Sequence, residues 1–334
     1  MTANPPPHRS RSASVPAAPG RVFAVVVTFN RLSLLQQTLA RTLAESLDGV
    51  VVINNASTDG TRAWLDEQTH PLLQVLHLPV NGGGAGGFHH GFDHVLKHTD
   101  ADWLVCFDDD AYPQPGSIAR FKSLTFAADV AGVAAAVYLP DGRISEMNRP
   151  SHHPFGSVGA TLKTLLRRRS GFHVRDEDYR RETPMDIDFS SFVGCFLRVS
   201  AIRERIGLPR KELFIYADDI MYTHTIGEHG LRHCFAPMVR FTHDCATLQA
   251  QQDVYKPMWK VYYTYRNRLE LFRQIAGPWA FPPIAVLKLL SWVLKARHYE
   301  QRGVYLRLLG LAWADGMLRR FSRPHTEILR RATP

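Results

Sequence analysis

Cysteine is scarce. Cys106, Cys195, Cys234 and Cys245 are the only four in 334 residues, and no two stand at CxxC spacing. That excludes a disulfide framework and a thiolate zinc site, and it points to a reducing compartment. An apolar leader is also lacking: residues 1–20 are rich in Pro, Ser, Ala and Arg and read as a disordered tail, not a signal peptide. The longest apolar stretch of the C-terminal quarter is interrupted by prolines and Lys288, which leaves it too short to span a bilayer. No internal repeat is visible. Acidic charge is short only at one end. Residues 256–334 hold 15 of the 40 Lys/Arg and 4 of the 31 Asp/Glu, so the net charge of +9 lies entirely in that segment. A near-neutral body with a basic tail implies a polyanionic neighbour, either nucleic acid or an anionic membrane surface.

What remains is ordinary for a chain with a real core: 45% hydrophobic and 21% charged residues. "RVFAVVVTFN" (21–30) is a continuous β-branched run, as in a strand buried on both faces of a parallel sheet. Leucines at helical spacing follow (Leu32, Leu35, Leu39, Leu43). "GVVVINN" (49–55), "LLQVLHLP" (72–79) and "DWLVCF" (102–107) read as further strands, separated by "STDGTRAWLDEQ" and "NGGGAGGFHHGFDHVLKH", which read as a turn and a glycine-rich loop, each entering a helix. This alternation predicts an α/β fold with a mostly parallel central sheet flanked by helices. Ligands bind such sheets beyond the carboxyl ends of the strands. Thr28/Asn30, Asn54/Asn55, Asn81–Gly87 and Asp108–Asp110 are all at such ends. The second half is less regular. Strands are expected near 131–140, within 185–198, in "ELFIY" and in "RHCFAPMVRFTHD", with a helix from "ADDIMYTHTI" and a long loop or insertion over 145–184.

"CFDDDAYP" (106–113) delivers three carboxylates at the end of a buried strand. In an extended segment Asp108 and Asp110 point the same way, so both can face one cation. Mg²⁺ or Mn²⁺ suits such hard oxygen donors and would hold a diphosphate as well. The alternatives are a solvated acidic turn closed by Pro113 and a carboxylate acid/base pair.

"VVVTFNR", "VVINNASTDGT", "NGGGAGGF" and "FDDDAYP", followed by "FIYADDIMYTHTI" and "RFTHD", resemble family-2 glycosyltransferases of the GT-A fold over about residues 21–245. The glycine loop with DDD is most similar to the bacterial galactofuranosyltransferase and rhamnosyltransferase branch. The resemblance implies a GT-A domain over 21–255 and a basic helical region over 256–334. It implies that Thr28, Asn30 and Asn54 line the nucleobase and ribose pocket, although Asn54 stands where the family often has Asp. Asp59 lies in the "STDGT" turn, with helix capping as its alternative role. Asn81 to Gly87, with Asn81, Gly83 and Gly84 as the donor contacts, would admit the sugar and diphosphate closely, and Asp109 would hold the donor sugar or ribose. Asp108, Asp110 and His243 would bind Mn²⁺ or Mg²⁺. Asp218 would be the general base of an inverting transfer, with Asp219 orienting it or binding the acceptor. Tyr263, Arg266 and Asn267 in "VYYTYRNRLEL" would close over the donor.

The implied donor is a UDP-sugar, best UDP-galactofuranose, with dTDP-rhamnose as the alternative. The implied acceptor is a lipid-linked or cell-surface glycan, reached from the cytoplasmic face of a bacterial membrane. A catalytically silent GT-A domain that binds a glycan or a partner enzyme is the reading from another class, and no nucleic-acid motif is present. In the tail, Trp279, Trp292 and Trp313 with flanking Lys/Arg suit a helix lying in the membrane interface. A helical region packed on the sheet or on a second subunit, giving a homo-oligomer, is the alternative.

Overall fold

The computed structural model describes residues 18–155, 171–244 and 254–333. The terminal tail up to residue 17, Cys245 and the middle of the expected insertion lie outside the described residues.

β1 (Val22–Thr28), β2 (Gly49–Asn54), β3 (Leu73–His77) and β4 (Trp103–Asp108) pair in parallel in the order β3-β2-β1-β4. The helices α1 (Leu32–Leu43), α2 (Thr61–Asp66) and α3 (Gly83–His98) make the crossovers. Side chains alternate across a strand, so β1 serves two cores at once. Val22, Ala24 and Val26 join Leu35 and Leu39 of α1 on one side. Phe23, Val25 and Val27 join Phe88, Phe92 and Val95 of α3 on the other. The strand order reverses between β1 and β4, where Val27 pairs with Asp108. That reversal opens a crevice at the carboxyl ends of these two strands.

The rest of the sheet departs from the mostly parallel expectation. After β5 (Ala111–Pro113) and α4 (Ser117–Lys122) come β6 (Val130–Tyr138), β7 (Met185–Ile187), β8 (Cys195–Arg198) and, beyond a helix, β9 (Arg232–His243). β8 runs antiparallel to both β4 and β6, β5 and β7 run antiparallel to β9, and β6–β9 is the one parallel pair. The sheet is therefore mixed. Strand direction follows from the connections, and no crossover helix separates β7 from β8. "ELFIY" (212–216) is not a strand: Lys211–Leu213 forms a single 3-10 turn before α5 (Asp218–Glu228).

Beyond residue 254 come α6 (Lys260–Leu294), α7 (Arg302–Met317) and α8 (His325–Arg331). Tyr262, Tyr265, Trp292, Tyr305 and Leu308 share a third core, against which Phe214 and Ile215 pack. By length and composition 260–298 is long and apolar enough to cross a membrane, contrary to the expectation from the interrupted apolar run. It is not one straight rod, however: Gly277 breaks it at φ 71°, ψ 175°, ahead of Pro278. Trp292 is 3% exposed and belongs to the core, so it is no surface anchor, whereas Trp279 is 92% exposed.

Candidate active site

The crevice at the carboxyl ends of β1 and β4 gathers Thr28, Asp108, Asp109, Asp110 and His243, and its wiring runs through Asp109 and Asp110. The Asp109 carboxylate accepts from Thr28 Oγ1 (2.8 Å) and from Arg31 Nη1 (3.2 Å). Burial pushes its pKa up to about 6, against the lowering effect of Arg31 and Thr28. The same Arg31 Nη1 reaches Asp110 Oδ2 at 2.8 Å. On its other side Asp110 Oδ1 lies 3.1 Å from His243 Nε2, at the end of β9. Burial alone would raise Asp110, but His243 and Arg31 outweigh it and hold the carboxyl below its usual range. His243 is raised in turn: burial opposes its charge, but the hydrogen bond to Asp110 and the charges of Asp110 and Asp108 prevail. Asp108 is pushed up to about 7, first by burial and then by the charge of Asp110.

Among the described residues no group of three His, Cys, Asp or Glu is assembled as a metal cluster. Of the three residues expected to form the shell, Asp110 and His243 are in contact, and Arg31 pairs with Asp110 as well. The donor set still suits a hard divalent cation. Its two carboxylates repel each other, and a cation would relieve that repulsion. His243 donates from Nδ1 to Asn148 Oδ1 (2.8 Å), which fixes the ring so that Nε2 faces Asp110. Asn148 is itself buried, accepting from Ser145 Oγ and donating to Ser191 Oγ.

Several of the expected donor residues make hydrogen bonds within the chain. Asn54 is buried, linking its amide to His77 Nδ1 (2.9 Å) and accepting from Ser57 N. Asn30, at φ 53°, accepts from Thr58 N (2.7 Å). Asp59 binds Leu32 N (3.1 Å) and both the amide and the hydroxyl of Thr61, so it ties α1 to α2 in the capping role weighed against donor binding. Asn81 accepts from Gly83 N (2.8 Å), and Asn55 holds both Gly82 N and Gly83 O. Some of the glycines also serve the fold. A Cβ on Gly83 would stand 2.0 Å from Phe214 O, and one on Gly87 2.3 Å from Val27. Gly84 has open space around it and remains free for close approach.

Arg266 is corrected outright. It is fully buried, donates to Leu213 O (2.8 Å) and Glu212 O (3.1 Å), and lies against Tyr262, Tyr263 and Phe321. Asn267 donates to Leu213 O, Ile215 O and Tyr216 O. Together they hold the loop 213–217, in which Phe214, Tyr216 and Ala217 all have positive φ (68°, 71° and 61°). Non-glycine residues rarely adopt that conformation, and three in one loop mark a site held under strain. The loop sets Asp218 and Asp219 at the N-terminus of α5. Asp218 is held well above the usual carboxylate range by burial, by Asp219 and, less strongly, by Asp108 across the crevice. Asp219 is pushed up to about 6 by burial.

A buried carboxylate pair on a strained loop, near enough for the charge of Asp108 to raise Asp218, is an arrangement suited to proton abstraction. Residues 23–205 match the family described as Glycosyl transferase family 2. The chain belongs to glycosyltransferase family 2. It is 25% identical over 269 residues to "Galactofuranosyltransferase GlfT1" of Mycolicibacterium smegmatis, covering 76% of this chain and 83% of that one. It is 32% identical over 180 residues to "Undecaprenyl-phosphate mannosyltransferase" of Micrococcus luteus, covering 51% of this chain and 71% of that one. Among solved structures, GalNAc-T7 with UDP, GalNAc and Mn²⁺ matches at a TM-score of 0.52 and 13% identity, over 92% of this chain and 54% of that one. This glycosyltransferase therefore has the GT-A architecture expected from its motifs, with the long C-terminal helix as an addition.

Two site residues were given no role by the motif reading: Arg31 and Asn148. Arg31 carried a usable sequence signal, since it directly follows "TFN" at the end of the strand beside the crevice.

Proposed function

We propose that this glycosyltransferase is an inverting, divalent-metal-dependent enzyme that transfers galactofuranose from UDP-galactofuranose to a hydroxyl of a lipid-linked glycan. The observation that carries the reaction type is the pairing of Asp110–His243 with a raised, buried Asp218 on the opposite element. The likeness to the galactofuranosyltransferase over 83% of that protein's length supports the donor.

In this reading Asp108, Asp110 and His243 hold the cation. A bound Mn²⁺ or Mg²⁺ supplies positive charge against the departing diphosphate. Arg31 adds a second cation beside Asp109 and Asp110. Thr28 fixes Asp109 for the donor sugar or ribose. Asp218 takes the proton from the acceptor hydroxyl as its oxygen attacks the anomeric carbon, and no covalent enzyme intermediate is required.

The pH profile tests the role of Asp218. A base must be ionised, so kcat/KM should rise with pH through a value above the ordinary carboxylate range. Removing the neighbouring charge in Asp219→Asn lowers the Asp218 pKa, and the acid limb should move to lower pH. An acid limb that stays in place would contradict the coupling of the two carboxylates.

The basic helical region supplies a second element of the proposal, docking on an anionic lipid surface. Ten of the thirteen strongly exposed large apolar side chains among the described residues lie between 279 and 329. Trp279, Val286, Leu287, Leu290 and Leu294 recur at helical spacing, while Phe281, Ala285 and Trp292 pack inward. In this reading the helix keeps its Phe281, Ala285 and Trp292 stripe on the protein and lays its exposed apolar face in the interface plane. Lys288, Arg297 and Arg302 are exposed on or near this helix. Each basic group contributes about 1 kcal/mol near an anionic surface, screened by salt. Co-sedimentation with anionic vesicles should be strong at low salt and fall sharply with ionic strength. Trp279→Ala should weaken it without lowering the melting temperature, whereas Trp292→Ala should lower the melting temperature. No binding to anionic vesicles at low salt would end this part of the proposal.

A further inference from the structure

The Asp110–His243 contact and the Asp218–Asp219 pair come from different elements. Asp110 follows β4 and His243 ends β9, whereas the pair opens α5. A transfer that uses both needs them in fixed register, because a misplacement of about 1 Å can cost about 10²-fold in rate. Arg266 and Asn267 hold the loop ahead of α5 through its carbonyls, and none of those bonds reaches Asp110 or His243.

Residues 190–192, between β7 and β8, reach both parts. Ser191 Oγ accepts from Asn148 Nδ2 at 2.9 Å, and Asn148 Oδ1 holds His243 Nδ1 at 2.8 Å. The residues on either side of Ser191 are bound to α5. Ser190 N donates to Thr223 Oγ1 at 3.2 Å. Burial raises Asp219, and the Phe192 backbone amide is among the hydrogen bonds that oppose it. The Phe192 ring lies edge-on to Tyr222, with 5.6 Å between centroids. Just beyond, Gly194 N donates to Cys106 O at 3.0 Å, which fixes the segment to β4 two residues before Asp108.

These links are buried, and that gives them weight. Asn148, Ser190, Ser191 and Thr223 all lie in the interior. A polar group there that loses its partner has no water to replace it. Serine is mostly a surface residue, yet two in succession are buried here. Ser190 Oγ faces His233 Nε2 at 3.3 Å, and Ser191 Oγ faces Asn148. One short segment thus joins α5 to the residue that orients His243.

We propose that Ser191 is a positioning residue of the transfer: through Asn148 on one side and the α5 contacts of its neighbours on the other, it sets Asp218 in register with the Asp110–His243 contact. Its role in transfer rests on the glycosyltransferase reading above; the hydrogen-bonded link between α5 and His243 does not.

Ser191→Ala removes the partner of Asn148 Nδ2 and almost no volume. It should lower kcat about 10–100-fold, the cost of a misplaced reacting group. The KM values and the Mn²⁺-dependent affinity for UDP should stay within about twofold, the pattern of an interaction that matters only in the transition state. Ser191→Thr keeps the hydroxyl and should retain most of the rate. In the Asp218→Asn background, Ser191→Ala should have almost no further effect, because no base is left to misplace. Amide exchange in EDTA reads the link without turnover. The amides of Ser190 and Phe192 should exchange about tenfold faster in Ser191→Ala, since the segment has lost one of its anchors.

Unchanged kcat in Ser191→Ala overturns the proposal, and so does a full-sized effect that persists in Asp218→Asn. A loss of UDP affinity as large as the loss of rate overturns it too, because Ser191 would then belong to donor binding. An unaltered chain that transfers no sugar would contradict the transferase reading. Faster exchange in Ser191→Ala would still leave the link standing in that case, and unchanged exchange would remove it.

Discussion

Replacing Asp218 by asparagine is expected to lower turnover about 10²–10⁴-fold while leaving donor binding near normal, the usual worth of a general base. The substitution keeps the shape of the side chain and the strained loop behind it. Arg266 and Asn267 secure that loop through the carbonyls of Glu212, Leu213, Ile215 and Tyr216, and none of these contacts involves the Asp218 carboxylate. What asparagine removes is the capacity to accept a proton. It also removes an unfavourably buried acid, so the variant should be no less stable than the unaltered chain. Isothermal titration with UDP and single-turnover transfer separate the two possibilities. A variant that binds UDP poorly but turns over bound donor normally would place Asp218 in the donor site.

Chelation is expected to have an effect at least as large. EDTA should reduce turnover to background, and Mn²⁺ or Mg²⁺ should restore it. Asp110→Asn should lose metal-dependent UDP binding, because Asp110 is the one carboxylate in contact with both His243 and Arg31. His243 faces Asp110 from the far side of the sheet on β9, so the cluster joins the two halves of the sheet. Full activity in excess chelator would overturn the metal assignment.

The strands around the crevice were legible because burial on both faces leaves a continuous apolar run, as in Val22–Thr28 and Trp103–Phe107. The aspartates stood out because they end such a run, on the edge where other polar strand ends gather. Strand direction beyond β5 was not legible, since an apolar run is the same read either way. Contacts made by side chains far apart in sequence were also hidden. Arg31 meets Asp109 across 78 positions and Asn148 meets His243 across 95. What approaches a glycine was hidden for a related reason. Close approach was foreseen at Gly83 and Gly87, but the approaching groups are the chain's own Phe214 and Val27. Arg266 and Trp292 were misplaced because an amphipathic pattern does not say which polar or aromatic residue a third element will cover. Arg266 is covered by Tyr262, Tyr263 and Phe321, and Trp292 by Tyr265.

The central claim is that this crevice moves a sugar from a nucleotide diphosphate. Nucleotide release from a panel of UDP-, dTDP- and GDP-sugars, measured in Mn²⁺ and again in EDTA with a polyprenyl diphosphate-linked glycan as acceptor, tests it most directly. The account predicts release of UDP from UDP-galactofuranose in Mn²⁺ alone, with the sugar recovered on the acceptor. Release of dTDP from dTDP-rhamnose would contradict the donor assignment, and no acceptor-dependent release from any donor would contradict the claim itself.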